Sequence, residues 1–199
     1  MLTDIPSHRL ASVGAVQQDL LGVVLAGGKS SRMGRDKATL IHPCGLTFLE
    51  HAIARLSQVT SHVAVSGRPL APGNVFSIPD QIASQGPAMA VWSAVLFASQ
   101  ANHAAVLLTP VDMPDLEPQH LQLLIDLAMP DRPTCATFDG QTPHPLVALY
   151  PVALASELAE VARSQRRSLR AYLTGRPVQC VMLPESVNRD CNTPHRLDR

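Results

Sequence analysis

The chain has 199 residues, 16 Lys plus Arg balanced by 16 Asp plus Glu, and 46% hydrophobic residues. That length predicts one domain with a core of its own, and zero formal charge gives no global field for nucleic acid or an anionic membrane. No apolar stretch approaches the ~18 residues of a membrane helix, and four cysteines without a C-x-x-C pair fit reduced thiols in a cytoplasm rather than a disulfide framework or zinc knuckle.

Residues 1–19 scatter Asp4, Pro6, His8 and Arg9 through a segment with no basic start and no apolar run. They read as a mobile N-terminal extension, not a secretory signal, and residues 20–199 as the single domain. Leu20 to Leu25 is an apolar run ended by Gly27-Gly28, hence a buried strand and a loop. Thr47 and Glu50 form a T-x-x-E capping box before a helix over Phe48 to Gln58. Strands are expected at His62–Ser66 and Val75–Ile78, and a helix at Pro87–Gln100 with proline in its first turn. Trp92 on that helix reads as core.

Further strands are expected at Ala104–Leu108, Thr134–Phe138, Leu146–Tyr150 and Val178–Leu183. Helices are expected at Pro118–Ala128, Ala153–Ala162 and Ser168–Leu173. Strands alternating with helices predict an α/β fold, a mostly parallel sheet with helices on both faces in three Rossmann-like layers.

Ligands of such sheets bind beyond the carboxyl ends of the strands. The loop after Leu25 carries three glycines and four cations within thirteen residues, Leu25 to Lys37. Paired glycines let backbone amides approach an anion unobstructed, and Arg32 and Lys37 add positive charge. The loop is not a Walker motif, because Gly28 stands where lysine is required. It is not G-x-G-x-x-G either, because Lys29 follows Gly27 by two.

The segment L-A-G-G-x-S-x-R-M-G-x-D-K resembles the signature loop of nucleotidyltransferases, most closely the molybdenum cofactor guanylyltransferase family. The resemblance runs from about Leu21 to Leu197. It takes in Asp80, Gly86 and Pro87, then Pro110-x-Asp112-x-Pro114, His144 to Leu149, and Asn192-Thr-Pro194. It implies a nucleotidyltransferase fold and Mg2+-dependent transfer of GMP from GTP to the terminal phosphate of molybdopterin. Backbone at Leu25, Ala26, Gly27 and Gly28 would hold the nucleotide. Arg32 would meet the phosphates and Lys37 would neutralise charge near the α-phosphate, with Asp36 ordering the loop and Arg35 solvated.

Asp112 would ligate the metal, against a competing reading as a turn-forming aspartate in a proline-rich loop. Asp80 and Gly86 would line the nucleotide site. Ser66 stands where the family usually has Asn near the base. Asn192 and His144 would face the second substrate, although Asn192 equally fits a helix cap and a histidine beside proline is usually structural. Arg166, Arg167 and Arg170 form a basic cluster that reads first as a solvated helix face and second as a phosphate or partner site. Ala90 departs from the family's usual glycine in that stretch.

Gly27 favours guanylyl over the cytidylyl relative, whose loop usually reads L-A-A-G. A cytidylyl or other small-molecule nucleotidyltransferase, and a non-catalytic nucleotide-binding module, are the alternatives. Molybdenum-insertion proteins and molybdoenzyme chaperones are the expected protein partners, with no nucleic-acid or membrane partner.

Overall fold

The computed structural model describes residues 19–27, 36–69, 71–73, 75–82 and 85–188. Seven strands form one sheet: β1 (Leu20–Leu25), β2 (His62–Ser66), β3 (Phe76–Ile78), β4 (Ala105–Pro110), β5 (Thr134–Thr137), β6 (Ala148–Pro151) and β7 (Gln179–Met182), in the order β3-β2-β1-β4-β6-β5-β7. β3, β2, β1 and β4 pair in parallel, as do β5 and β7. Only β6 runs against its neighbours β4 and β5.

Among the described residues five α-helices cover the sheet: α1 (Phe48–Leu56), α2 (Pro87–Gln100), α3 (Pro118–Asp126), α4 (Ala155–Arg163) and α5 (Leu169–Thr174). One core layer joins Val24 and Leu107 to Phe48 and Leu56 of α1 and Leu121 and Leu124 of α3. The other joins Val23 and Leu108 to Met89 and Trp92 of α2, Leu158 of α4 and Leu173 of α5. This alternation along β1 and β4 is the period-two pattern of a sheet buried on both faces. It gives the expected three-layer α/β architecture. Trp92 is buried in the core, with the Arg163 guanidinium over its ring.

Several boundaries move for identifiable reasons. β4 continues to Pro110 because Thr109 and Pro110 still pair with Val24 and Leu25. β6 begins at Ala148, not Leu146, because its register is set by β4, Leu108 opposite Ala148 and Ala105 opposite Pro151. The segment expected as one helix from Ala153 begins as a 3-10 turn, Val152–Leu154, before α4. α1 ends at Leu56 and carries the expected capping box, Thr47 Oγ1 accepting from the Glu50 amide and Glu50 accepting from the Thr47 amide. A reciprocal cap of this kind contributes about 1 kcal/mol. Ser168 serves as N-cap of α5 rather than its first residue, its hydroxyl accepting from the Ala171 amide.

Candidate active site

The parallel strands β1, β2 and β4 end together, and their exits are tied by backbone hydrogen bonds. The Ala26 amide donates to the Ser66 carbonyl at 3.0 Å, and the Val111 amide donates to the Leu25 carbonyl at 3.1 Å. Gly27 and Gly67 touch backbone to backbone across the β1 and β2 exits. A Cβ on Gly27 would lie 2.9 Å from Gly67 Cα, and one on Gly67 would lie 2.3 Å from Gly27 Cα, with Gly67 already at φ +85°. Gly27 is therefore fixed by packing as well as by any ligand. Its value as a marker of base choice falls accordingly.

Beyond β4, Asp112 receives Lys37. The ammonium donates to Asp112 Oδ2 at 2.7 Å, with both side chains only partly exposed. Lys37 opens a 3-10 turn, Lys37–Thr39, capped by Asp36, whose carboxylate accepts from the Ala38 amide. The other oxygen of Asp36 accepts from Arg68 beyond β2. Asp36 thus caps the Lys37 turn and ties it to the exit of β2 through Arg68.

The loop following Asp112 is held from beneath by a residue that pattern reading passed over. Arg55 of α1 is buried, and its Nη1 lies 2.7, 2.9 and 2.6 Å from the carbonyls of Met113, Pro114 and Leu116. Burial lowers its pKa to about 10, against the opposing pull of Glu117 and Asp115, so it stays charged at neutral pH. The available signal was an arginine inside an amphipathic helix, one position before the core residue Leu56.

On the β2–β3 side, Ser66 is buried at the end of β2 and pairs in register with Ile78, two residues before Asp80. Ser66 Oγ, Asp80 Oδ1 and Gln85 Oε1 are buried polar atoms without a hydrogen-bond partner. Burial raises the Asp80 pKa from its ordinary value. Unpaired buried polar atoms cost free energy unless a ligand completes them. The loop is pinned to α2 by the Gln81 amide donating to Ser93 Oγ at 2.9 Å. Gly86 caps α2 at φ +85°, with open space where a Cβ would project. Ala90 lies in the first turn of α2, half-buried against the second core layer.

His144 is half-buried. Its Nδ1 accepts from the Val147 amide at 3.1 Å, which assigns the proton of the neutral ring to Nε2. Burial and then Arg170 lower its pKa, while Asp112 pulls the other way, so His144 sits in the field of both. Its neighbours Pro145 and Leu146 line a cleft of about 250 Å³ with Pro87, Leu169, Arg167 and Arg170. Arg167 and Arg170 are exposed, as a solvated face requires, yet they also wall this cleft. Gly28, Arg32, Arg35 and Asn192 lie outside the described residues, as does most of the N-terminal extension.

The family model of the MobA-like NTP transferase domain matches residues 22–179. This chain belongs to that family. It is 40% identical over 195 residues to a probable molybdenum cofactor guanylyltransferase of Rhodopirellula baltica, covering 92% of each chain. It is 36% identical over 177 residues to one of Mycobacterium avium, covering 86% of this chain and 89% of the other. Among solved structures it resembles the molybdopterin-guanine dinucleotide biosynthesis protein A of Archaeoglobus fulgidus, with a TM-score of 0.68, 20% identity and coverage of 90% and 95%.

As a member of the MobA-like family the chain is a nucleotidyltransferase, and its mostly parallel α/β sheet is the fold those structures share. The donor set also fits a hard divalent cation. Asp112 is a carboxylate at the strand exit, and such ions take one or two carboxylates with phosphate oxygens and water. The Lys37 ammonium lies beside it.

Proposed function

We propose that the chain transfers GMP from GTP to the terminal phosphate of molybdopterin, releasing pyrophosphate, with Mg2+ as the metal. The observation that carries this reading is the Lys37–Asp112 pair at the joint exit of β1 and β4. A phosphate oxygen of the acceptor attacks the α-phosphorus. One P–O bond forms there as the bond to the bridging oxygen of the leaving pyrophosphate breaks. The second pKa of a phosphate monoester is near ~6, so the acceptor is mostly ionised at neutral pH and needs no general base.

The protein's work is then positioning and charge neutralisation. Backbone at Leu25, Ala26, Gly27 and Gly28 holds the triphosphate, and Arg32 meets its phosphates. Lys37 would turn from Asp112 toward the α-phosphate of the nucleotide. Asp112 would hold the Mg2+, which would supply neutralisation of charge on the triphosphate. Ser66 and Asp80 line the base side with Gly86. Their unpaired oxygens suit the N–H donors on a guanine edge.

The cleft under Arg167 and Arg170, with Pro145 beside His144, suits a flat acceptor bearing a phosphate. Its apolar walls take the ring system and its cations the charge. His144 offers an Nε2 donor on that side, and Asn192 would contact the same acceptor. Molybdenum-insertion proteins and molybdoenzyme chaperones are the neighbours such a product implies. Among the described residues no helix is long and apolar enough to cross a membrane, and a cytoplasmic setting is part of this reading.

The test is release of pyrophosphate from GTP by the purified chain with Mg2+, with and without molybdopterin. Release that requires the acceptor and yields the dinucleotide supports the reading. Binding of GTP without turnover points to a non-catalytic module.

A further inference from the structure

Among the described residues, a cluster of metal-ligating side chains follows the Lys37 turn in the chain. Residues 41–47 form a tight hairpin, with Ile41 bridging to Thr47 and the His42 amide donating to the Leu46 carbonyl at 2.8 Å. Its turn closes through the Gly45 amide, which donates to the His42 carbonyl at 2.8 Å, with Gly45 at φ +89°. This turn brings Cys44 back over His42, whose Nδ1 lies 2.9 Å from Cys44 Sγ. The capping box at Thr47 starts α1 directly after the hairpin, so His51 falls in its first turn, on the side facing His42. The two imidazoles stack at 3.8 Å between centroids and 12° between planes.

We propose that His42, Cys44 and His51 form a binding site for a borderline-soft transition metal, Zn2+ first, separate from the nucleotide site. One ligand atom from each residue lies within 4.8 Å of the others. Zinc bonds of about 2.0–2.3 Å in a tetrahedron place ligand atoms roughly 3.3–3.7 Å apart, so the three converge with small side-chain adjustments. Two imidazoles and a thiolate, with no carboxylate among them, select zinc over magnesium. Cys44 is exposed and the histidines half-buried, which leaves a fourth position open to water.

Binding forms one Zn–S and two Zn–N bonds and releases the Cys44 thiol proton to solvent. It requires no redox partner. Nothing in it depends on the acceptor or the base of the nucleotidyl transfer.

The test is a Zn2+ titration of the reduced, metal-stripped full chain in excess Mg2+, read against a chromogenic chelator and repeated with Co2+. One equivalent binds with sub-micromolar affinity, and Co2+ gives a thiolate-to-metal charge-transfer band. Cys44→Ser removes that band, and Cys44→Ser and His51→Gln each weaken Zn2+ binding by roughly tenfold or more, while circular dichroism and the unfolding midpoint of the metal-free variants match the parent. Affinity unchanged in both variants would overturn the site, since the metal would then sit elsewhere, for example on Cys180. Binding no tighter than that of Mg2+ would overturn it as well.

Discussion

The ammonium of Lys37 and the carboxylate of Asp112 stand 2.7 Å apart although 75 positions separate them in the chain. Lys37 opens a capped 3-10 turn, and Asp112 lies two residues beyond β4. A partly exposed pair of this kind contributes only ~0–1 kcal/mol to folding, so its placement is better explained by chemistry than by stability. Lys37→Ala and Asp112→Asn are expected to lower kcat by about 100-fold or more, while the urea midpoint moves by less than ~1 kcal/mol equivalent. Steady-state kinetics and chemical denaturation of the same preparations check both halves.

The contact between Gly27 and Gly67 predicts a stability effect where family comparison suggests a specificity effect. Gly67→Ala places a methyl 2.3 Å from Gly27 Cα at a positive φ, and Gly27→Ala places one 2.9 Å from Gly67 Cα. Both are expected to destabilise, Gly67→Ala by the larger amount, on the order of 2–3 kcal/mol. Gly27→Ala is not expected to exchange GTP preference for CTP. Thermal unfolding and nucleotide competition on the two variants separate the effects.

Arg55 is expected to control the Asp112 loop from outside the site. Arg55→Ala leaves the carbonyls of Met113, Pro114 and Leu116 without their shared donor. Buried unpaired acceptors cost ~1–3 kcal/mol each when water cannot reach them. A total loss near ~3 kcal/mol is expected, because water entering the vacated space satisfies some of them. Turnover falls in the same variant, and hydrogen exchange of the amides at 112–116 rises in the folded protein.

His144 gives a pH signature with a definite sign. Its pKa in the folded chain lies below the ordinary 6.5, through burial and then Arg170, with Asp112 opposing. The unfolded chain therefore takes up the proton first. This histidine's contribution to stability is complete above pH 6.5 and is lost as pH falls from there through its folded value. Imidazole titration by NMR is expected to show a midpoint below 6.5, moved up by Arg170→Gln and down by Asp112→Asn.

Much of the fold was legible because apolar runs and glycine stops mark buried strands directly. β1, β2 and α2 lie on their predicted residues, since a continuous apolar run and a proline at the first helical turn are local signals. The antiparallel insertion of β6 was not legible, because strand order is settled by contacts between residues far apart in sequence. The same holds for the site. Lys37 and Asp112 could be singled out by type and context, and their pairing is tertiary. Arg55 escaped because its role is to satisfy backbone carbonyls about 60 residues away, and no pattern within α1 encodes that. The His42–Cys44–His51 cluster escaped because its H-x-C-x6-H spacing becomes a cluster only once the hairpin folds back on the start of α1.

The most direct test of the central claim is substrate selection during turnover. The purified chain would be given molybdopterin, Mg2+ and equimolar GTP, CTP, ATP and UTP, and the dinucleotide products resolved by mass. The account predicts molybdopterin guanine dinucleotide as the dominant product, lost together with pyrophosphate release in Asp112→Ala. A cytosine dinucleotide as the main product, or undiminished turnover in Asp112→Ala, would contradict it.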